Sequence, residues 1–195
     1  MSRPAGVPEL LTALAGALPP LCDGWYLFGA QAVQVWGRPR MSADVDVTVR
    51  LRSPNVRPFV AAMSDAGFDI RVPDPETFAR ETRVLPFVHR ESSIPVDVVL
   101  AGSGPEDEFL ARARMVTVAG VRVPVISPED LVVTKVLAGR PRDLEDVRGI
   151  LHEVGAGFDL ARVRSLLEIL EEALGRSDLR PLFEEQLAAS GRRKR

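Results

Sequence analysis

Residues 28–47 have the sequence FGAQAVQVWGRPRMSADVDV, and this stretch decides the predicted fold. An apolar strand at residues 25–28 ends in Gly29-Ala30, and a helix is predicted over residues 31–36, before the next glycine. Over residues 44–51, polar residues alternate with β-branched apolar ones, which predicts a strand with one solvent-facing side. A strand, a turn, a helix and a second strand in this order predict an α/β unit.

The rest of the chain changes character near residue 126. Before that point, strands are predicted at 68–72, 82–88, 94–100, 115–118 and 121–126, and helices at 8–18, 53–66 and 105–113. After it, amphipathic helices are predicted at 128–138, 143–154, 159–174 and 178–189. The predicted fold class is therefore α/β (α+β). An α/β sheet domain at residues 1–126 is followed by a helical C-terminal lobe at 127–190 that completes the site, and by a basic tail at 191–195.

The composition limits the classes of protein to consider. The 195 residues are 46% apolar and 27% charged, with a net charge of −2, which excludes a collagen, a disulfide scaffold and a wholly disordered chain. One cysteine allows no internal disulfide, and neither a signal peptide nor a membrane-spanning run is predicted, so a cytoplasmic location is expected. Of the 25 basic residues, 23 are Arg, and Lys135 is the one Lys outside the tail. Its retention indicates a place for a compact point charge rather than a wide guanidinium fork.

Three acids and one turn are candidates for chemistry. Asp44 and Asp46 are two residues apart on a strand, so their carboxylates share a face, where their mutual repulsion is relieved by water or by a hard cation such as Mg²⁺. An exposed strand face is the alternative. Asp97 is a single acid in an apolar strand and needs a partner, which is either a metal or one of the many Arg residues. Gly29-Ala30 begins a helix whose free N–H groups suit a phosphate, although a simple tight turn has the same pattern.

Taken together, these residues resemble the nucleotidyltransferase superfamily of the DNA polymerase β type. Its signature is a hydrophobic residue, Gly, Gly or Ser, a spacer, an Asp-hydrophobic-Asp pair and a later third acid. Phe28-Gly29-Ala30 matches the first part, with Ala30 in place of Gly or Ser, and Asp44-Val45-Asp46 and Asp97 match the acids. The resemblance implies a polymerase-β-like sheet, Mg²⁺ held by Asp44, Asp46 and Asp97, and nucleotidyl transfer with Asp97 as the base for the acceptor hydroxyl.

A narrower resemblance is to the AbiEii-type and MenT-type nucleotidyltransferases, the toxins of bacterial toxin–antitoxin pairs. An Arg-x-Thr/Ser-x-Asp-x-Asp motif of this group is matched by Arg40, Ser42 and the acid pair. A helical Lys followed by Ala-Gly-Arg and Asp residues is matched by the stretch that begins at Lys135. The resemblance implies that Lys135 meets the triphosphate, and that Arg40 and Ser42 hold phosphate or orient the acid pair. An ordinary surface lysine is the alternative for Lys135.

The same stretch carries Asp143 and Asp146, which share one side of the next helix. They either orient Lys135 or contact the nucleotide, or they are acids that simply favour a helix start. Elsewhere, two histidines are taken as structural: His89 at a strand end and His152 on a helix.

The expected substrates follow from the resemblance. A nucleoside triphosphate such as ATP donates the nucleotide, the acceptor hydroxyl belongs to RNA such as tRNA or to a protein, and an antitoxin is a possible partner. A basic rim near the motifs favours an RNA or protein acceptor; its members are Arg38, Arg40, Arg140 and Arg142. Two alternatives stay open, namely a catalytically inactive nucleotide-binding regulatory module and an antibiotic nucleotidyltransferase. No membrane partner is expected.

Overall fold

The computed structural model describes residues 6–102 and 104–191, and these form two compact units. The described residues of the first unit lie within Met1–Gln31 and Met41–Ile126. Those of the second unit lie within Ala32–Arg40 and Ser127–Arg195. The second unit therefore takes its residues from two separate parts of the chain.

Seven strands and nine helices occur among the described residues. The strands are β1 Cys22–Phe28, β2 Val45–Leu51, β3 Phe68–Ile70, β4 Val84–His89, β5 Pro95–Leu100, β6 Arg114–Val118 and β7 Val121–Val125. The helices are α1 Val7–Ala17, α2 Gly29–Trp36, α3 Arg57–Asp65, α4 Pro75–Thr82, α5 Pro105–Arg112, α6 Pro128–Ala138, α7 Pro141–Glu153, α8 Leu160–Leu174 and α9 Leu179–Ala189. The boundary between the two units falls within α2.

A mixed sheet forms the centre of the first unit, with the strand order β3-β4-β5-β2-β1-β7-β6. β2 is parallel to β5 and antiparallel to β1, and β1 is parallel to β7. Val45, Val47 and Val49 are fully buried, whereas Asp46 is half-buried and points to the opposite face. The alternating stretch thus forms the central strand of the sheet, and its acid lies on the more polar side.

The helices of the first unit cover this sheet. α1 packs against β7, α3 against β3, α4 against β4 and α5 against β1. The sequence analysis did not include α4, although Asp74 and Pro75 mark its start. Asp74 accepts a hydrogen bond from the backbone N–H of Thr77 at 3.1 Å, and Pro75 occupies the first helical position, where its missing N–H costs nothing.

α6 is the central helix of the second unit and packs against α7, α8 and α9. Eight of its eleven residues are buried, so the prediction of an amphipathic helix is wrong here. The N-cap Ser127 accepts a hydrogen bond from the Asp130 backbone N–H at 3.2 Å. The fully buried Asp130 carboxylate accepts hydrogen bonds from Arg162 Nε and Nη2 at 3.1 and 3.0 Å, which compensates its charge.

The segment 32–40, which the sequence analysis assigned to the first domain, packs with α7 in the second unit. Gly37 permits this close approach. A Cβ added to Gly37 would lie 3.0 Å from Ile150 Cγ1 and 3.1 Å from the Ile150 backbone nitrogen, which is tighter than an ordinary contact. A side chain at this position would therefore require the segment or the helix to shift.

Two further expectations concern the ends of the chain and the membrane. Residues 192–195, which include Lys194 and most of the predicted basic tail, lie outside the described residues. Within the described part of the chain, no helix combines the length and the apolar character needed to cross a bilayer.

Candidate active site

The residues predicted for the site fall into two groups, one in each unit. The first unit contains Gly29, Ala30, Ser42, Asp44, Asp46 and Asp97, and the second contains Arg40, Lys135, Asp143 and Asp146. Each group is described by itself below.

Asp46 and Asp97 are direct neighbours in the sheet. They are register partners in the parallel pair of β2 and β5, and neighbouring strands lie about 4.8 Å apart. Paired residues on adjacent strands point to the same face, so both carboxylates lie on one side of the sheet. Both residues are half-buried and remain within reach of solvent. The register thus brings together two acids that are separated by 50 residues in sequence.

Gly29 lies directly against Asp46. The strand β1 ends opposite Asp46, because Phe28 is the register partner of Asp46, and Gly29 follows with φ of +61°. A Cβ added at Gly29 would lie 2.8 Å from Asp46 Cγ and closer still to Oδ2. Only glycine fits here, because the position requires both a left-handed backbone and an absent side chain. α2 begins at this point, and Ala30, its second residue, is buried.

Asp44 immediately precedes β2 and is oriented by a neighbouring hydroxyl. Ser42 Oγ donates a hydrogen bond to Asp44 Oδ1 at 2.6 Å, and both residues are half-buried. A hydrogen bond to one carboxylate oxygen fixes the orientation of the group and leaves the other oxygen available. Ser42 was predicted to orient the acid pair, and it contacts one member of that pair, Asp44.

Asp97 has a partner that the sequence analysis did not identify. Arg71 Nη2 donates a hydrogen bond to Asp97 Oδ1 at 2.6 Å. Arg71 is itself held by β4, because its Nε donates to the Phe87 carbonyl at 2.9 Å and its backbone N–H to the Pro86 carbonyl at 2.8 Å. An arginine was one of the two partners considered for Asp97, but no sequence pattern singled out Arg71 among the 23 arginines.

The donor set has the chemistry that Mg²⁺ prefers, because Asp44, Asp46 and Asp97 offer only hard carboxylate oxygens. No three His, Cys, Asp or Glu side chains are gathered as a metal centre anywhere in residues 6–102 and 104–191. Asp97 Oδ1 instead faces the Arg71 guanidinium. The three acids have suitable oxygen ligands for Mg²⁺, and the strand register places Asp46 beside Asp97. To bind one ion together, their side chains have to turn toward one another.

Lys135 forms the centre of the group in the second unit. Its Nζ donates hydrogen bonds to Asp143 Oδ1 and to Asp146 Oδ2, each at 2.8 Å. The Lys135 side chain is 8% exposed, so the alternative of an ordinary surface lysine is wrong. Of the two functional roles considered for the acids, these contacts correspond to the orientation of Lys135. Since an ammonium group has three donors, one remains uncommitted by these two bonds.

Arg40 and Arg140 extend this group. We call the five residues together the lysine cluster: Arg40, Lys135, Arg140, Asp143 and Asp146. Arg40 donates to Asp146 through Nε at 3.0 Å and Nη2 at 3.1 Å, and Arg140 Nε donates to Asp143 Oδ2 at 2.7 Å. Burial raises the pKa of Asp143, but the hydrogen bonds and charges of Lys135 and Arg140 outweigh it and hold the pKa below its usual range. With three cations and two anions, the lysine cluster has a net charge of +1.

The two histidines differ in their surroundings. His89 is buried, its Nδ1 lies 2.8 Å from Ser92 Oγ, and its ring packs on Phe68 with centroids 5.0 Å apart. Burial lowers the pKa of His89, which favours the neutral imidazole. These contacts agree with a structural role. His152 is exposed, and its Nδ1 lies 3.0 Å from the Ser190 carbonyl.

Comparison with known proteins gives one family and several related folds. The family model described as "Nucleotidyl transferase AbiEii toxin, Type IV TA system" matches residues 12–194. No curated protein matches the sequence. Among solved structures, the antibiotic-resistance factor ANT(2'')-Ia is similar, with a TM-score of 0.55 and 15% identity over 87% of this chain and 92% of that chain.

Two other solved structures share the architecture. The nucleotidyltransferase toxin MenT4 from Mycobacterium tuberculosis H37Rv has a TM-score of 0.52 and 16% identity, over 84% of this chain and 62% of that chain. The lincosamide antibiotic adenylyltransferase LnuA has a TM-score of 0.51 and 14% identity, over 76% of this chain and 98% of that chain. At such identities the likeness shows a shared fold, and it confirms the predicted α/β nucleotidyltransferase fold class.

Proposed function

The chain is a nucleotidyltransferase of the AbiEii toxin family, and from this membership we propose that it transfers a nucleoside monophosphate from a nucleoside triphosphate to an acceptor hydroxyl. One observation carries the proposal at the level of residues. Asp46 and Asp97 are register partners on one face of the sheet, and Gly29 leaves room for the Asp46 carboxylate at the start of a helix. Helix N–H groups attract a phosphate, and the acids beside them suit such a site as ligands of a cation that would offset the phosphate charge.

The proposed reaction is a displacement at the α-phosphorus. The acceptor oxygen forms a bond to the α-phosphorus, the bond from that phosphorus to the oxygen bridging to the β-phosphorus breaks, and pyrophosphate leaves. Asp97 takes the proton of the acceptor hydroxyl. Its Oδ1 is held by Arg71, so we assign the proton to Oδ2. Most of the rate then comes from positioning and charge neutralisation, as in phosphoryl transfer generally.

Magnesium is part of the proposal, with Asp44, Asp46 and Asp97 as the residues that would hold it. When bound, Mg²⁺ supplies positive charge that stabilises the phosphates and the leaving pyrophosphate. Ser42 fixes the orientation of Asp44 through its hydrogen bond of 2.6 Å. The close contact of Gly29 limits the positions available to the Asp46 side chain.

We assign phosphate binding to Gly29 and Ala30 at the start of α2 and to Lys135. The first N–H groups of a helix have no partner within the helix and attract anions. Two donors of Lys135 are taken by buried carboxylates, which hold the ammonium in place, and the third is available to the triphosphate. A point charge that is positioned in this way binds phosphate without a bidentate geometry.

The acceptor and the partner follow from the charge on the second unit and from the family. We propose RNA, such as tRNA, or a protein as the acceptor, because Arg38, Arg140 and Arg142 are exposed cations on the second unit. The toxin family suggests an antitoxin as a partner. ATP or another triphosphate is the donor, and we propose the cytoplasm, where such nucleotides are abundant, as the location. Adenylylation of an antibiotic is the competing outcome of the acceptor test.

The test uses purified protein, Mg²⁺, each α-labelled nucleoside triphosphate, and total RNA or protein extract, with pyrophosphate release as a second measurement. We expect Asp46→Asn to abolish labelling and pyrophosphate release while the protein stays folded. Asp23→Asn is the matched control, because Asp23 is an exposed acid on the adjacent strand β1. Full activity of Asp46→Asn would contradict the site assignment. If only an added aminoglycoside or lincosamide is labelled, the acceptor is an antibiotic and the proposal of RNA or protein is wrong.

A further inference from the structure

The second unit contains a cavity that borders the lysine cluster and shares Arg38 with the proposed acceptor surface, and the proposed function assigns no ligand to it. Its volume is about 430 Å³, and it is lined by the segment 38–40, by α7 and by the end of α9. Arg38, Arg40 and Arg148 contribute three guanidinium groups to its wall, and Glu145 and Asp146 contribute two carboxylates. The cavity wall is thus rich in cations.

In the part of the chain that the structure describes, neither carboxylate forms an ion pair with Arg38 or Arg148, and Glu145 is exposed, so the lining keeps one more cation than anion. Asp146 is already bonded to Arg40 and to Lys135. Within residues 6–102 and 104–191, Arg38 and Arg148 form no ion pair, and both are exposed. Two guanidinium groups with uncommitted donors therefore face the cavity, where an anion can be bound by charge-assisted hydrogen bonds.

Much of the cavity wall is held in place by packing and hydrogen bonds. α7 packs against the backbone of Arg38, since a Cβ at position 149 would lie at contact distance, 3.5 Å, from the Arg38 nitrogen. The two hydrogen bonds to Asp146 fix the Arg40 side chain. His152 Nδ1 donates a hydrogen bond to the Ser190 carbonyl at 3.0 Å, since a carbonyl oxygen can only accept. This bond does not involve the other ring nitrogen, Nε2. The wall behind the two arginines is thus held before an anion binds, and the entropic cost of binding comes mainly from ordering the Arg38 and Arg148 side chains.

We infer that this cavity is a binding site for a phosphate ester group, with Arg38 and Arg148 as its main ligands. The planar guanidinium fork matches two oxygens of a phosphate, and arginine rather than lysine is the residue that offers this geometry. The chemistry is shared by the phosphodiester backbone of a nucleic acid, by a nucleotide and by free phosphate. The inference shares Arg38 with the proposed acceptor surface and rests on that proposal only for the RNA arm of the test, and phosphate binding itself does not require transfer activity.

The experiment measures equilibrium binding to the full chain in EDTA, so that neither metal nor turnover contributes. One arm uses a short fluorescein-labelled RNA, a second uses a non-hydrolysable nucleoside triphosphate, and a third uses inorganic phosphate. In the arm that corresponds to the natural ligand, we expect Arg38→Ala and Arg148→Ala each to weaken binding about threefold to tenfold. For the RNA arm, each lost phosphate contact also lowers the slope of log affinity against log salt by about 0.7.

The controls distinguish the loss of a specific binding site from the general effect of removing one positive charge. Arg122→Ala removes an equally exposed arginine from the first unit and should change each affinity less than twofold. Arg148→Lys keeps the charge but loses the fork, and we expect it to recover only part of the affinity. Weakening in the RNA arm alone identifies a nucleic acid as the source of the phosphate, and weakening in the other arms identifies a nucleotide or free phosphate.

The inference is overturned if Arg38→Ala and Arg148→Ala change no arm more than Arg122→Ala does. Circular dichroism of each variant establishes that the fold is intact, which is expected because both arginines are exposed. Failure of the proposed function is a different result: a protein that never releases pyrophosphate can still show phosphate binding that depends on the two arginines.

Discussion

The substitution Gly29→Ala adds a methyl group where the backbone is left-handed and the Asp46 side chain is in contact. At a φ of +61°, an L-residue costs about 1–2 kcal/mol relative to glycine. The added Cβ would lie 2.8 Å from Asp46 Cγ and 3.0 Å from Asp46 Cβ, so turning the carboxylate alone does not relieve the contact. Overpacking of this kind costs about 1–3 kcal/mol. We therefore expect the free energy of unfolding to fall by about 2–5 kcal/mol.

A double-mutant cycle separates the two contributions. In an Asp46→Ala background, the contacts with Oδ2 and Cγ are removed and the one with Cβ at 3.0 Å remains, so Gly29→Ala should cost less than in the natural chain and approach the backbone contribution of about 1–2 kcal/mol. Gly175→Ala provides the same backbone contribution in isolation, because Gly175 has φ of +63° and an added Cβ would meet nothing within 4 Å. The measurement is urea unfolding followed by circular dichroism, and each 1 kcal/mol also lowers Tm by about 2–4 °C.

Activity provides an independent measurement on the same variant. At a temperature where Gly29→Ala is folded, pyrophosphate release should fall about tenfold or more, because the displaced carboxylate no longer has the geometry that the transfer needs. The reasoning is refuted if Gly29→Ala costs no more than Gly175→Ala and the cycle with Asp46→Ala is additive within about 0.5 kcal/mol.

Three other substitutions test the remaining contacts. Lys135→Met should lower the free energy of unfolding by about 1.5–3 kcal/mol, because it removes the shared cation of two buried carboxylates that each keep one arginine; urea unfolding measures it, and a loss below about 0.5 kcal/mol would contradict the buried bonds. The lowered pKa of Asp143 means that its contribution to stability is present above the unfolded value of 3.8 and is lost as the pH falls through the folded pKa. Asp143→Asn should therefore flatten the dependence of unfolding free energy on pH below about 4, and an unchanged slope would refute this. Arg71→Gln should lower the Mg²⁺ concentration for half-maximal activity about fivefold, because it removes a cation from Asp97, whereas Arg90→Gln should leave it unchanged; equal effects of the two would exclude competition at Asp97.

Local sequence patterns were sufficient for most of the fold. The alternation of valines with polar residues predicted β2, and Ser127-Pro128 predicted the start of α6 at the residue where the structure begins it. The register of Asp46 with Asp97 was not visible in any local pattern, since strand order depends on contacts between distant segments. A resemblance to a family with three acids indicated that the two would function together.

Long-range partners explain what could not be predicted. Arg71 and Asp97 are separated by 26 residues, and either of them could have paired with many other residues of opposite charge. The close approach of Gly37 to Ile150 depends on an absent side chain, which leaves no periodic signal in the sequence. Composition drew attention to Lys135, but its burial between two acids follows only from the packing of α6 against α7.

The discontinuous second unit also has a consequence for the order in which the protein is made. Arg40 and Asp146 form an ion pair across 106 residues of sequence. At a synthesis rate of about 5–20 residues per second, Arg40 emerges on the order of 5–20 s before the acid that binds it. During that interval the residues of the first unit are completed, while the segment 32–40 has not yet met α7. In the nascent protein, the segment 32–40 therefore exists for several seconds before the helices against which it packs, and Arg40 lacks Asp146 during that time.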